Sequence, residues 1–178
     1  MQPSIFIRGF EIAEPVTVLT DVMIGVVCLY AYRKLGTQTD KPKEIAYLRI
    51  FFATMAFATI YGGIVGHGLM PHLPFGWKLP GWLTSMVSLA FLERAAIQYG
   101  QGHVSPWCRR FWLRVNVVEL CIFVGLVLTT LDFMWVEVHA GYGMLVITGG
   151  FFTYAWFTLK QQSSLWFLSA VGISIVSA

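Results

Sequence analysis

Charge is scarce in this chain. Lys, Arg, Asp and Glu make up 12% of its 178 residues, where soluble domains carry about 25%. With 57% hydrophobic residues and a mean hydropathy of +0.68, the composition excludes an ordinary soluble domain and indicates a polytopic membrane protein. The net charge of +3 is too small to argue for nucleic acid; what matters is where the basic residues fall. Cysteine is also rare. Cys28, Cys108 and Cys121 show no CxxC or Cys/His ligand spacing, which argues against a thiolate metal site and fits small buried hydrophobes. None of the four histidines stands in an HxxxH or HExxH pattern. The opening MQPSIFIRGFEIAEP has neither the basic start nor the apolar core of a signal peptide, so the first helix is expected to direct insertion itself. Repeats, low-complexity tracts and a separate soluble domain are lacking too, and one membrane domain over 1–178 is expected.

What the chain has in abundance is long apolar runs. They predict an all-α, polytopic transmembrane helix bundle with helices at about 15–32, 45–70, 82–99, 111–131, 133–159 and 163–178. The last run is shorter than the roughly 20 residues needed to cross, so the sequence is expected to break off inside a helix, the alternative being a helix that ends in a protein-lined environment. The loop Arg33–Glu44, together with Arg49, holds five of the twelve basic residues. A second basic segment, GQGHVSPWCRR, is followed by Arg114. Both are expected on the cytoplasmic side of a cell (inner or plasma) membrane, with the N-terminus outside. His103 reads as solvated in the second loop.

The chain is organised around Ile45–Met70, a run that rises about 39 Å as a helix. Gly62 and Gly66 form a small-xxx-small seam, while Gly63 lies one turn before His67 on the same face and leaves space beside the imidazole. On the first helix Glu14, Thr17 and Asp21 share one face. Carboxylates at membrane depth cost on the order of 3 kcal/mol and mark sites or buried pairs. In the predicted topology Glu14, His67, His72, Asp132, Glu137 and His139 all reach the outer level, an imidazole and carboxylate set of the zinc type. A hydrogen-bonded interior His67 and an axial haem or chlorin site at His67 and His139 are the alternatives. At the inner level Glu93 is expected to pair with Arg114, as buried charges usually do.

The segments EPVTVLTD at 14–21 and GGIVGHG at 62–68 resemble an uncharacterised family of small membrane proteins, similar at a distance to the alkaline ceramidase and progestin/adipoQ receptor superfamily. The resemblance follows helix order along the whole chain, and departs from the superfamily at Gly63, where a serine is usual. It implies zinc near one membrane face, with His67 as first ligand and the acids Glu14 and Asp21 of the first helix at the site. It also implies a seventh helix in a complete chain, beyond Ala178, from which further histidine ligands would come.

The expected function is therefore a zinc-dependent hydrolase of lipid amides or esters, with Glu14 and Asp21 catalytic and His67 and His139 on the metal. The rival is a non-catalytic accessory subunit packed through its glycine seams against a larger membrane protein complex. Transport along Glu93, Arg94, Arg114, Asn116 and Glu119 is a third possibility.

Overall fold

The computed structural model describes residues 4–38, 42–99, 104–160 and 162–176; His103 and the predicted helix end at 177–178 lie outside them. The described chain opens on a short antiparallel hairpin, β1 (Ile5–Ile7) and β2 (Phe10–Ile12), in the register Ile5 opposite Ile12. Its two-residue turn, Arg8 and Gly9, has positive φ at both positions (52° and 84°). That is the conformation a tight hairpin demands, although Arg-Gly is not the usual Asn-Gly or Asp-Gly signature.

The described elements after the hairpin are all helices. α1 (Pro15–Gly36) and α2 (Lys43–Tyr61) come first, and α2 runs on through a π-helical stretch, Gly62–Gly68. α3 (Leu79–Tyr99) and α4 (Pro106–Thr130) follow. α5 (Met134–Tyr142) passes through a second π-helical stretch, Gly143–Thr148, into α6 (Gly149–Leu159), and α7 (Gln162–Val176) ends the described chain. Taking α5 to α6 as one continuous run, the described residues form six helices.

Local chemistry sets the helix ends. Pro15 and Pro106 occupy first-turn positions, where a missing N–H has no cost. The Ser105 hydroxyl accepts from the Cys108 amide (3.2 Å) and so caps α4. Leu131, in the left-handed conformation (φ 54°), closes α4, and the Asp132 carboxylate accepts from the Met134 amide (2.9 Å) to start α5.

Three helices are long and apolar enough to cross a membrane: α1 (mean hydropathy 1.7), Lys43–Gly68 (1.6) and α4 (2.0). Large apolar side chains such as Val16, Leu19, Met23 and Val27 stand exposed on α1. This arrangement suits a lipid bilayer, since water would penalise so much bare hydrocarbon.

The chain divides into two compact units, Met1–Thr39 with Arg49–Ser88, and Asp40–Leu48 with Leu89–Ala178. In the first, α1 lies along the π-helical end of α2. Gly25 of α1 lies directly against α2, where a Cβ would meet the Ile60 side chain. In the second, Ile97, Val127, Ile147 and Phe152 are buried, and Phe152 stacks on Phe167 (4.2 Å between centroids). The Tyr99 hydroxyl ties α3 to α7 through Ser163 Oγ (2.6 Å).

Candidate metal centre

Polar side chains gather in each unit. In the first, Glu14 adopts the left-handed conformation (φ 45°) just before α1, an unfavourable backbone for a residue preceding proline. There its carboxylate accepts from His67 Nδ1 (2.7 Å), in the π-helical end of α2. Asp21 lies against Gly63, where a Cβ would sit 2.7 Å from the Asp21 Cβ and 3.4 Å from its Oδ2. The hairpin joins the same group. The Ala13 amide donates to Gly68 O (3.1 Å), and His72 bonds through Nε2 to Glu11 O (2.9 Å) while stacking on Phe10. Glu14, Asp21 and His67, singled out from the sequence, are thus neighbours. The Glu14 and His67 side chains are 27% and 40% exposed, and the described residues add no further ligand at metal-shell distance.

The second unit holds a different kind of group. Glu93 from α3, Glu119 from α4 and His139 from α5 each direct one ligand atom into a space where all three lie within 4.8 Å of one another. They are 1%, 8% and 0% exposed. His139 Nε2 stands 3.7 Å from Glu119 Oε1, an ion contact too long for a hydrogen bond. Of the nine buried side-chain polar atoms without a partner among the described residues, five belong here: Glu93 Oε1, both Glu119 oxygens and both His139 nitrogens. Unpaired buried polar groups are rare and costly, so five in one place need a physical reason.

Backbone shape makes the space. Gly143 opens the second π-helical stretch one turn after His139, and a Cβ there would overlap Glu93 Oε1. Single π turns within α-helices recur at functional sites, because the extra residue re-aims the side chains around it. Asn116, itself buried, fixes the acid: its Nδ2 donates to Glu93 Oε2 (2.9 Å) and to Ala90 O (3.2 Å). Its Oδ1 accepts from Arg94 Nε (2.7 Å). Arg94 therefore reaches the acid at one remove.

This corrects one expectation. Arg114 is exposed and forms no ion pair with Glu93, because its side chain leaves the helix on a solvent- or lipid-facing side while Glu93 is enclosed. His67 and His139, expected on one metal, belong to different units, and each has its own acidic neighbour. Asp132 accepts from the Met134 amide in the turn before α5, and Glu137 is exposed. The sequence reading missed the grouping of Glu93, Glu119 and His139. The signal for it was Gly143 four residues after His139, the mirror image of Gly63 four residues before His67.

A metal fits this donor set. A closed tetrahedral shell has ligand atoms about 3.4 Å apart for metal–ligand bonds near 2.1 Å, so the three donors need only small side-chain rotations to close on an ion. One imidazole and two carboxylates, without thiolate, suit zinc, manganese or ferrous iron. Three protein ligands leave a position open, as catalytic rather than structural zinc sites do.

A family model described as a family of unknown function, DUF6962, matches residues 16–178. No curated protein and no solved structure matches the chain.

Proposed function

The chain belongs to the family of unknown function DUF6962, so its chemistry has to be argued from the site, and we propose that it is a membrane-embedded, metal-dependent hydrolase of lipid amide or ester bonds. The observation that supports this most is the set of unpartnered buried donors at Glu93, Glu119 and His139. A proton shared between the two carboxylates would relieve their repulsion, yet it would leave both imidazole nitrogens without a partner. A divalent cation, zinc in the first instance, uses one of those nitrogens and balances both acids together.

When bound, the metal supplies a Lewis acid and a water acidic enough to attack at neutral pH. Asn116 holds Glu93 in place for that shell. In the reaction the water oxygen bonds to the acyl carbon and the C–N or C–O bond breaks. The leaving amine or alcohol takes up the proton, and a fatty acid is released. The resemblance to the ceramidase-like superfamily supports this reaction class, while the residues here differ from that plan. Glu93 and Glu119 join His139, whereas Glu14 and Asp21 stay beside His67 as a clamp on the hairpin. The N-terminus outside and the basic loops cytoplasmic complete the proposal.

Elemental analysis of the purified full chain, with fatty-acid release from a fluorescent acyl lipid, tests it. Stoichiometric zinc and turnover are expected, both lost in His139→Ala and Glu119→Gln and both kept in His67→Ala. A wild-type protein that takes up no metal on reconstitution refutes the hydrolase. If that protein also co-purifies with a membrane partner, the accessory-subunit reading replaces it.

A further inference from the structure

One face of α4 joins two kinds of surface. Near the helix start, Trp107, Arg110, Phe111 and Arg114 line a hollow of about 210 Å³, with Trp107 stacked on Phe111 (5.7 Å, 12°). Phe111 and Arg114 also line the next hollow, of about 410 Å³, which runs past Val118 and Ile122 and has Glu119 as part of its floor. The two form a continuous stripe, basic and aromatic at one end and apolar along the rest. Arg110 and Arg114 are one turn apart and exposed, and among the described residues neither forms an ion pair. Val118 and Ile122 are more than half exposed.

We infer that this stripe docks an anionic membrane lipid, its phosphate held by Arg110 and Arg114 and an acyl chain lying over Val118 and Ile122. The argument is charge complementarity combined with amphipathic length. Two guanidiniums at a membrane-crossing helix end attract an anionic headgroup, and Arg suits phosphate because its donors form a planar fork. Trp107 beside them is the amphipathic residue expected at headgroup level. An uncharged lipid would leave both guanidiniums without a counterion.

The spacing also names the substrate class, a step that rests on the hydrolase reading. Glu119 lies five residues beyond Arg114, about 7.5 Å further along the helix axis. In an acylated phospholipid the first ester or amide bond lies at a comparable depth below the phosphate. A lipid held at Arg114 thus brings its cleavable linkage level with the residue whose stem floors the groove and whose carboxylate reaches the candidate metal centre. The substrate is accordingly an anionic acyl lipid, entering sideways from the bilayer.

Native mass spectrometry of the full chain, in micelles containing phosphatidylcholine with a minor fraction of phosphatidylglycerol, reads the docking directly. Wild type is expected to retain phosphatidylglycerol preferentially. Arg110→Gln/Arg114→Gln is expected to lose that preference by about 30-fold, the combined effect of two basic groups at a membrane surface. Arg110→Lys/Arg114→Lys, which keeps the charge, should restore most of it, and Arg33→Gln/Lys34→Gln, at the basic end of α1, should leave it intact. Unchanged retention in the Gln double variant overturns the inference, as does equal loss in the α1 variant. Zinc content separates the two proposals. Glu119→Gln with metal lost and phosphatidylglycerol kept supports the docking site, whereas a metal-free wild type that still selects the anionic lipid through Arg110 and Arg114 overturns only the substrate assignment.

Discussion

Gly143→Ala is the sharpest probe of the candidate centre, because one methyl group enters the space that Glu93 occupies. The added Cβ would overlap Glu93 Oε1 and sit 3.1 Å from its Cδ, so the carboxylate has to move. Overpacking of this kind costs about 1–3 kcal/mol. Replacing glycine by alanine within a helix returns about 1 kcal/mol of propensity. Gly141→Ala collects the same propensity gain, and a Cβ there meets nothing within 4 Å. The difference between the two variants therefore isolates the clash, and it should be about 1–3 kcal/mol. Loss of metal affinity should be larger in relative terms. Disturbing a partner of a metal ligand costs 10–100-fold, and displacing a ligand should cost at least about 100-fold. Reversible unfolding in mixed micelles measures the first quantity, and competition with a fluorescent chelator the second. Glu93→Asp, shorter by one methylene, should weaken the site alone yet relieve the clash in the Gly143→Ala background. A double-mutant cycle should then show favourable coupling. If Gly141→Ala and Gly143→Ala unfold together and hold metal equally well, Glu93 does not need the space and the reasoning fails.

Three further outcomes are expected. His67→Ala removes a pair whose side chains are more than a quarter exposed; solvent screening limits the loss to about 0–1 kcal/mol. Its signature should be faster amide exchange over residues 5–12 with metal content unchanged, and metal loss would contradict the clamp role. Gly63→Ala places a Cβ 2.7 Å from the Asp21 Cβ and 3.3 Å from Val18 O, a backbone atom that cannot rotate aside. It should destabilise by about 1–3 kcal/mol, while Gly62→Ala, with open space, should be benign in the same thermal scan. Tyr99→Phe deletes the hydroxyl bonded to Ser163 Oγ at 2.6 Å and should cost about 1 kcal/mol, read as increased exchange in α7 before the other helices.

The helices were legible because length and hydropathy alone specify them. α1, Lys43–Gly68 and α4 are runs that only a bilayer or a large core would accommodate. The pairing of Glu14 with His67 was half legible: both were singled out, but the left-handed turn at Glu14 that brings them together has no sequence signature. The hairpin was not legible, since Arg8-Gly9 carries no standard turn signal and its strands are three residues each. The cluster at His139 was obscured for another reason. Its members come from α3, α4 and α5, spaced 26 and 20 residues apart in the chain, and only tertiary packing joins them. Assigning depth from topology put His139 with the outer residues and Glu93 with the inner ones. The side chains bridge that division, and Asn116 takes the place expected for Arg114.

Each unit sets an acid against a glycine in a π-helical stretch, with a histidine one turn away, but the electrostatic outcomes are opposite. Around Gly63, Glu14 and His67 satisfy one another at 2.7 Å and keep partial access to the surroundings, so the arrangement is stable as it stands. Around Gly143, two acids are enclosed side by side; among the described residues the Asn116 amide donates to Glu93, and Arg94 reaches that acid through the same amide. Burying a carboxylate costs several kcal/mol unless its lone pairs are satisfied. If the role of these positions were only to hold α3, α4 and α5 together, apolar residues of similar volume would do it at less cost. The shape argues the same way. Gly143 widens the helix interface next to Glu93, where a Cβ would close it, so the fold spends packing to admit a carboxylate oxygen, Oε1, that has no hydrogen-bond partner among the described residues. The proposed positive ion would turn all three deficits, the charge, the missing donors and the space, into one coordinated site.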